Sequence, residues 1–165
     1  SLLQPVHLHQ TMQNSELDRI IENMDTVFRG DAWHGPSVME ILNSLPPHAV
    51  TKKSGNSKHT IAELVFHLKA WRVFVFQKLQ NNIHFSLQTE TDNFGNPTEV
   101  SEENWPNLVN DLKEAHSKLL QELEKFDDTL LSQRVAGEHY DFYTLLHGII
   151  QHDTYHLGMI WVLWD

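Results

Sequence analysis

Apolar residues recur at intervals of three and four along four long stretches of the chain, with polar residues between them. These stretches occupy about residues 15–30, 60–81, 101–126 and 141–164. The spacing is that of an α-helix that buries one face, whereas the strict alternation of a half-buried strand is scarce. A shorter apolar run from Pro36 to Ser44 predicts a minor helix. The pattern therefore predicts an all-α protein built as a four-helix bundle.

Polar residues mark where the helices are expected to begin. Asn14 or Ser15 can cap the first helix, because a short polar side chain accepts hydrogen bonds from the first turn. Thr60 and Glu63 form the Thr-x-x-Glu pattern of a capping box, in which each side chain bonds the backbone of the other residue. Ser101 is expected to start the third long helix in the same way.

The segments outside the helices differ in length and character. Residues 1–12 are expected to be an extended lead-in, and residues 48–59 a polar loop. Residues 82–100 form a long connector that can run the full length of a bundle, at up to about 3.3 Å per residue. The second and third long helices therefore need not be antiparallel neighbours. Residues 127–140 lead to the last helix and allow a short extended piece at 133–135.

The charge of the chain excludes some classes of partner. There are 12 basic and 22 acidic side chains, which give a formal net charge of -10. A chain this acidic, without a basic stripe, is a poor partner for nucleic acid or for an anionic membrane surface. No apolar run approaches the roughly 20 residues that cross a bilayer, and residues 1–6 lack the pattern of a signal peptide. We therefore expect a protein that contacts neither nucleic acid nor membrane.

The chain of 165 residues contains no cysteine. This excludes a disulfide scaffold, a thiolate zinc site and a cysteine nucleophile. It also fits a reducing compartment, so we expect the protein to be cytoplasmic. The length fits one domain, residues 1–165, with a hydrophobic core of its own.

The last predicted helix carries two histidines within its apolar face. That face contains Phe142, Leu145, Ile149, His152, His156, Ile160 and Leu163. Residues four apart lie one turn apart on the same side of a helix, so His152 and His156 can share one metal ion. Because the chain has 12 histidines, chance alone gives about one such spacing. The apolar context is what singles out this pair.

His67 is the candidate third ligand. It lies three residues after Leu64 and four before Trp71, on or beside the buried stripe of the second long helix. Neutral imidazoles bind Zn, Ni, Fe or Cu, and three protein ligands leave one coordination position open, as in catalytic sites. The alternative is three core histidines, each bonded to a neighbouring side chain. The surrounding residues are mostly apolar and offer few such partners, which favours the metal.

Four other residues have candidate roles near this site. Gln151 and Asp153 adjoin the histidine pair, and either can bond the second nitrogen of a ligand. For Asp153, an ion pair with Arg72 on another helix is the plainer alternative. Glu63 lies one turn before the third histidine and can act as a base toward a bound water, although its capping role competes. His34 can line the mouth of the site or be a solvated loop residue.

Together these residues resemble a known family, the DinB/YfiT-like metalloenzymes. His67 follows a Thr-Ile-x-Glu-Leu helix start, and the last helix reads His152-Asp-x-Tyr-His156-x-Gly158. The turn Ala32–Ser37 is also similar to a segment of many members, and the resemblance spans almost the whole chain. It implies an up-down-down-up four-helix bundle in which the three histidines bind one divalent ion, and it implies a homodimer.

The resemblance also carries expectations about chemistry. Relatives include transferases that use low-molecular-weight thiols, a thiol-dependent isomerase, and proteins labelled metal-dependent hydrolases. The cofactor expected is one divalent ion, Zn or Ni first and Fe or Mn after them. The family often has glutamine where this chain has Met159. That departure can alter the surroundings of the ligands but does not replace one.

Two hypotheses about function follow. The first is a metal-dependent enzyme, a thiol S-transferase or a hydrolase, that activates a thiol or a water toward a small-molecule substrate. The second is a non-catalytic stress-response bundle that binds a metal or a small molecule. Metal content separates both hypotheses from a metal-free protein, and assays with thiols, amides and esters separate the first from the second.

Overall fold

The computed structural model describes residues 15–164, so the extended lead-in expected at residues 1–12 lies outside the described residues. The predicted all-α class is confirmed for this range. The α-helices are α1 (Glu16–Arg29), α2 (Val38–Ser44), α3 (Ile61–Leu79), α4 (Glu90–Phe94), α5 (Trp105–Leu123) and α6 (Phe142–Trp164), with 3-10 helices at Pro47–Ala49 and Asp128–Ser132. Among residues 15–164, no helix combines the length and the hydrophobicity that crossing a bilayer requires.

Two of the predicted helix caps are present, at the starts of α1 and α3. The Ser15 side chain accepts a hydrogen bond from the Asp18 N–H at the start of α1. Thr60 and Glu63 form both halves of a capping box at the start of α3. Each cap satisfies N–H groups that the first turn leaves without a helical partner. The sequence pattern therefore placed these two starts correctly.

The expected start of the third long helix at Ser101 is wrong, because α5 begins at Trp105. Pro106 is the physical cause. A proline ring clashes with a helical carbonyl four residues earlier, so proline is tolerated only in the first turn. Ser101 instead accepts a hydrogen bond from the Asn104 N–H in the turn that precedes the helix.

The connector at residues 82–100 contains a short helix that the sequence analysis did not predict. This helix, α4, starts at a capping box between Thr89 and Asp92 and packs against α3. It ends at Gly95, where φ is 81°, a left-handed conformation that glycine adopts readily. Five residues are too few for apolar periodicity to reveal a helix.

Two apolar clusters form the core of the described chain. The first joins the beginnings of α3 and α5 to α2 and to the ends of α1 and α6, with Phe28, Leu42, Leu64, Leu68, Leu108, Leu112 and Ile160 among its members. The second joins the ends of α3 and α5 to the beginnings of α1 and α6, with Leu17, Met24, Phe74, Val75, Leu119, Leu123 and Leu146 among its members. Packing of α3 against α5 and α6 connects the two clusters.

A chain of buried polar groups, here called the interhelical network, links the four long helices. Arg72 of α3 donates two hydrogen bonds to the carboxylate of Asp153 of α6, with N–O distances of 2.8 and 2.5 Å. Arg72 Nε donates to Nδ1 of His116 of α5 at 3.2 Å, and His116 Nε2 donates to Asp25 of α1 at 2.9 Å. Arg72, Asp153 and His116 are each 1% exposed or less. A buried network with its partners in place favours one arrangement of the helices.

Candidate metal centre

Three histidines from two helices meet at one point and are called the three-histidine cluster. His67 comes from α3, and His152 and His156 lie one turn apart on α6. Each offers one ring nitrogen, and these nitrogens lie within 4.8 Å of one another. His67 Nε2 and His152 Nε2 are 3.0 Å apart. Two imidazole nitrogens on one tetrahedral zinc ion stand about 3.3 Å apart, given Zn–N bonds of about 2.0–2.1 Å. Small side-chain movements therefore suffice for the cluster to hold one ion.

Helix packing turns the three rings inward. The helix α3 is enclosed by α4, α5 and α6, which leaves His67 9% exposed. On α6, Ile149 and Ile160 are buried in the two apolar clusters. The helix face between them carries His156, which is 8% exposed, and the half-buried His152. The apolar stripe of α6 thus brings the histidine pair to α3.

The outer nitrogens of two rings have partners that fix the ring tautomer. His67 Nδ1 donates to the backbone carbonyl of Asn93 at 3.2 Å. Because the hydrogen of the neutral ring is then on Nδ1, its Nε2 carries a lone pair for a metal. His156 Nδ1 lies 3.3 Å from the sulfur of Met159, which is a weak acceptor. Met159 therefore contacts the outer edge of a candidate ligand.

The helix α4 completes the surroundings of His67. The Phe94 ring is stacked between His67 and His59, with ring centroids 4.4 and 3.7 Å away. Together with the Asn93 carbonyl, this ring fixes the orientation of His67. Sequence reasoning missed both contacts, since a backbone carbonyl has no sequence signature. The Thr-x-x-Asp pattern at residues 89–92 was the one available signal of a helix start here.

Burial keeps the cluster neutral. Burial is the main cause that lowers the pKa of His152 to about 3, with smaller contributions from the neighbouring imidazoles of His156 and His67. Burial is also the main cause that lowers the pKa of His156 to about 4. The pKa of His67 is lowered as well, chiefly by burial. At neutral pH the rings therefore offer lone pairs without first losing a proton, as metal binding requires.

A cavity of about 440 Å³ opens beside the three-histidine cluster. Besides the histidines, its lining consists of the aromatic Trp71, Tyr140 and Tyr155, the aliphatic Leu145 and Ile149, and Thr144 and Gly148. The indole N–H of Trp71 is the one buried side-chain donor in residues 15–164 without a hydrogen-bond partner. The volume is that of a site for a small molecule. A small molecule in the cavity would therefore lie next to the histidine nitrogens.

The two weaker candidates have other contacts. Glu63 completes the capping box with Thr60, and its carboxylate also lies 3.1 Å from Nδ1 of His59. In the structure, Glu63 therefore acts as a helix cap. His34 is exposed and lies 3.2 Å from the carbonyl of Pro36, in keeping with a solvated loop residue. Neither belongs to the lining of the cavity that the described residues form.

Asp153 and Gln151, which adjoin the histidine pair, differ in burial and in hydrogen bonding. Both carboxylate oxygens of Asp153 bond Arg72, so the ion pair considered as its alternative role is observed. Gln151 is exposed. Within residues 15–164, no hydrogen bond joins its side chain to a histidine. The outer contacts of the cluster therefore come from the Asn93 carbonyl and Met159 rather than from these two residues.

Comparison with known proteins adds a family. The model of the family described as the DinB superfamily matches residues 33–160. The match contains the three-histidine cluster and the residues that line the cavity. Comparison with curated proteins and comparison with solved structures each gave no match.

Proposed function

Because this chain belongs to the DinB superfamily, we propose that it is a divalent-metal-dependent enzyme whose ion is held by His67, His152 and His156. The observation that carries the proposal is the convergence of three inward nitrogens beside a cavity, with two Nε2 atoms 3.0 Å apart. Three protein ligands leave a coordination position for water or substrate, which is typical of catalytic sites.

The chemistry follows from the donor set. Imidazole nitrogen suits Zn, Ni and Fe. We propose Zn or Ni first, with Fe after them and Mn, which prefers oxygen ligands, last. Such an ion, when bound, favours the deprotonation of a water or a low-molecular-weight thiol near neutral pH. The residues of this chain keep the ligands neutral by burial, and Asn93 holds His67 with its lone pair on Nε2. We propose a small-molecule substrate and either thiol transfer or hydrolysis.

We also propose that the chain is one domain with the up-down-down-up topology of a four-helix bundle. The composition of the two apolar clusters supports this topology. The beginnings of α3 and α5 lie in the first cluster and their ends in the second, as expected of helices that run the same way. The helices α1 and α6 have the opposite distribution.

A homodimer in the cytoplasm is the assembly and location we propose. Exposed apolar side chains on the last turns of α6 support the dimer: Tyr155 is 66% exposed, Trp161 50%, Val162 73% and Trp164 40%. Large exposed apolar patches often mark association sites. The absence of cysteine supports a reducing compartment. Light scattering of the purified protein measures the mass, which should be twice that of the chain.

A non-catalytic metal- or small-molecule-binding protein of the stress response is the second candidate. One observation favours it: no carboxylate belongs to the cavity lining formed by the described residues. Glu63, the carboxylate considered as a base in the sequence analysis, caps α3 instead. A hydrolase that needs a carboxylate as general base would lack it in this arrangement.

Assays on metal-loaded protein decide between the two candidates. The protein would be tested with small thiols plus electrophiles, and with simple amides and esters. The enzyme proposal predicts turnover that is lost in His156→Ala and retained in His34→Ala, which changes an exposed histidine outside the cavity. Turnover that survives His156→Ala would exclude metal catalysis at this site, and stoichiometric metal without turnover would favour the second candidate.

A further inference from the structure

The cavity beside the three-histidine cluster is uncharged. Trp71, Tyr140 and Tyr155 supply aromatic surface, and Leu145 and Ile149 supply aliphatic surface. No Asp, Glu, Lys or Arg side chain is part of its lining within the described chain. The phenol of Tyr140 is neutral at pH 7, and burial raises its pKa further above the ordinary value. A molecule in this cavity meets apolar surface, neutral hydroxyls and the histidine nitrogens.

We infer that the substrate has an uncharged, mostly apolar body and reaches the three-histidine cluster with a single metal-binding atom, such as a thiol sulfur. The metal-binding atom rests on the proposed function, whereas the apolar body follows from the cavity wall alone. The inference also separates the substrate from small thiols whose bodies carry several charges. Such thiols would place their charged parts against a wall that offers no counter-charge.

Solvation explains the preference. When a thiol occupies the metal, a carboxylate, phosphate or ammonium group on the body of the molecule loses hydration, and the wall beyond the histidines offers no ion to replace it. An apolar body gains from the same step, because apolar surface on both sides leaves water. The net charge of -10 adds to the exclusion of anions before they reach the cavity. The volume of about 440 Å³ accommodates a small aromatic molecule.

Two glycines of α6 provide a matched pair of positions for a test. Gly148 lines the cavity, and a Cβ atom added there meets no protein atom within 4 Å. Gly158 has the same free space around an added Cβ, but it borders a different groove, formed with residues 54–59. The change Gly148→Leu therefore fills the cavity, whereas Gly158→Leu fills the other groove at a similar cost to the helix.

The first experiment uses the metal-free protein and the neutral fluorophore N-phenyl-1-naphthylamine. We expect binding that benzyl mercaptan displaces, with affinity at least about 10-fold weaker in Gly148→Leu and within about twofold of the parent in Gly158→Leu. Absence of binding, or loss in Gly158→Leu instead, would overturn the inference. If circular dichroism shows that Gly148→Leu is unfolded, Thr144→Phe narrows the same cavity from an exposed position.

The second experiment measures, by calorimetry on zinc-loaded protein, the binding of three thiols that share one ring. These are benzyl mercaptan, its 4-carboxylate and its 4-aminomethyl derivative, and we expect each charged compound to bind about 10- to 100-fold more weakly. Equal or tighter binding of the carboxylate contradicts the inference. The cationic compound controls for the net charge of the protein, which by itself would favour it.

The two experiments distinguish a failure of the proposed metal site from a failure of the inference about the substrate. If zinc does not bind but the neutral fluorophore occupies the cavity as described, the proposed metal-dependent function fails and the apolar cavity stands. If zinc binds at the three histidines but the charged thiols bind as well as benzyl mercaptan, the inference about the substrate body fails and the metal site stands.

Discussion

Within residues 15–164, histidine is buried in two places, and the ring nitrogens have different partners in each. In the interhelical network, His116 has a partner on each ring nitrogen, Arg72 at 3.2 Å and Asp25 at 2.9 Å. In the three-histidine cluster, Nε2 of His67 faces Nε2 of His152 at 3.0 Å, and both rings border a cavity. The network pairs its histidine with charged side chains, whereas the cluster pairs histidine nitrogens with each other beside a space that a ligand can enter.

Burial alone does not separate the two places. Burial is the main cause that lowers the pKa of His116 to about 3, and the charge of Arg72 is the second cause. Burial is also the main cause that lowers the pKa of His152 to about 3, and there the second cause is the neighbouring imidazole of His156. The neutral rings of the cluster can share a single cation, whereas His116 already has a partner on each nitrogen. The partners of a buried histidine, rather than its depth, therefore indicate whether it stabilises the fold or binds a ligand.

Removal of a histidine from each place should give the largest difference. We expect His152→Ala to weaken zinc binding by more than about 100-fold, because the loss of a ligand exceeds the 10- to 100-fold effect of an outer contact. His116→Gln should leave one zinc per chain and lower stability instead. Competition with a chromogenic chelator measures the affinity of both variants. Equal zinc affinity in the two variants would show that His152 and His116 do not differ in their role in metal binding.

The ion pair of the interhelical network should matter for stability. Asp153→Ala leaves the guanidinium of Arg72 buried without its carboxylate, so we expect a loss of about 3–5 kcal/mol in the free energy of unfolding. The double change Arg72→Met and Asp153→Leu removes both charges and should recover most of that loss. Urea unfolding of metal-free protein checks both. A loss below about 1 kcal/mol for Asp153→Ala would show that the pair is not buried as described.

Acid should destabilise the metal-free protein through both places. His67, His116, His152 and His156 have folded pKa values below the ordinary value, so the unfolded chain binds more protons than the folded one as pH falls below about 6.5. Stability is then lost from about pH 6.5 down toward the folded pKa values, by up to about 1.4 kcal/mol per pH unit for each histidine.

Urea unfolding at pH 7, 6 and 5 measures this slope. His116→Gln serves as the comparison. It should remove the contribution of one histidine to the pH dependence of stability and leave the contribution of the three-histidine cluster. A free energy of unfolding that stays constant between pH 7 and 5 would contradict the lowered pKa values in both places.

The smallest expected effect concerns the outer edge of the cluster. The sulfur of Met159 lies 3.3 Å from His156 Nδ1 and accepts a hydrogen bond weakly. We expect Met159→Gln to tighten zinc binding by up to about 10-fold, because an amide oxygen holds the ring more firmly. Met159→Leu, which has no acceptor, is the control. Tighter binding in the leucine variant than in the glutamine variant would show that this contact does not orient His156.

Much of the fold could be predicted because it depends on local signals. The stripe of α6 and the capping box of Thr60 and Glu63 are visible in the sequence, and both are present in the structure. The start of α5 was misplaced because the cap signal of Ser101 was given more weight than the ring of Pro106. The helix α4 was missed because a five-residue helix has no period.

The candidate site was predictable only in part. The convergence of His67 with the histidine pair was expected from its place on an apolar stripe, but the contacts around it were not. The carbonyl of Asn93 and the ring of Phe94 come from the connector, whose path depends on packing. The interhelical network was foreseen only as the pairing of Arg72 with Asp153, since His116 shows no sign of its two partners in the sequence.

X-ray absorption spectroscopy of the zinc-loaded protein shows whether the three-histidine cluster binds a metal. We expect three imidazole nitrogens at about 2.0–2.1 Å from zinc, with one further light-atom ligand. We also expect this imidazole scattering to fall in His152→Ala and to be unchanged in His116→Gln. A shell of oxygen atoms without imidazole scattering, or a spectrum unaltered by His152→Ala, would contradict the assignment of the three-histidine cluster as a metal site.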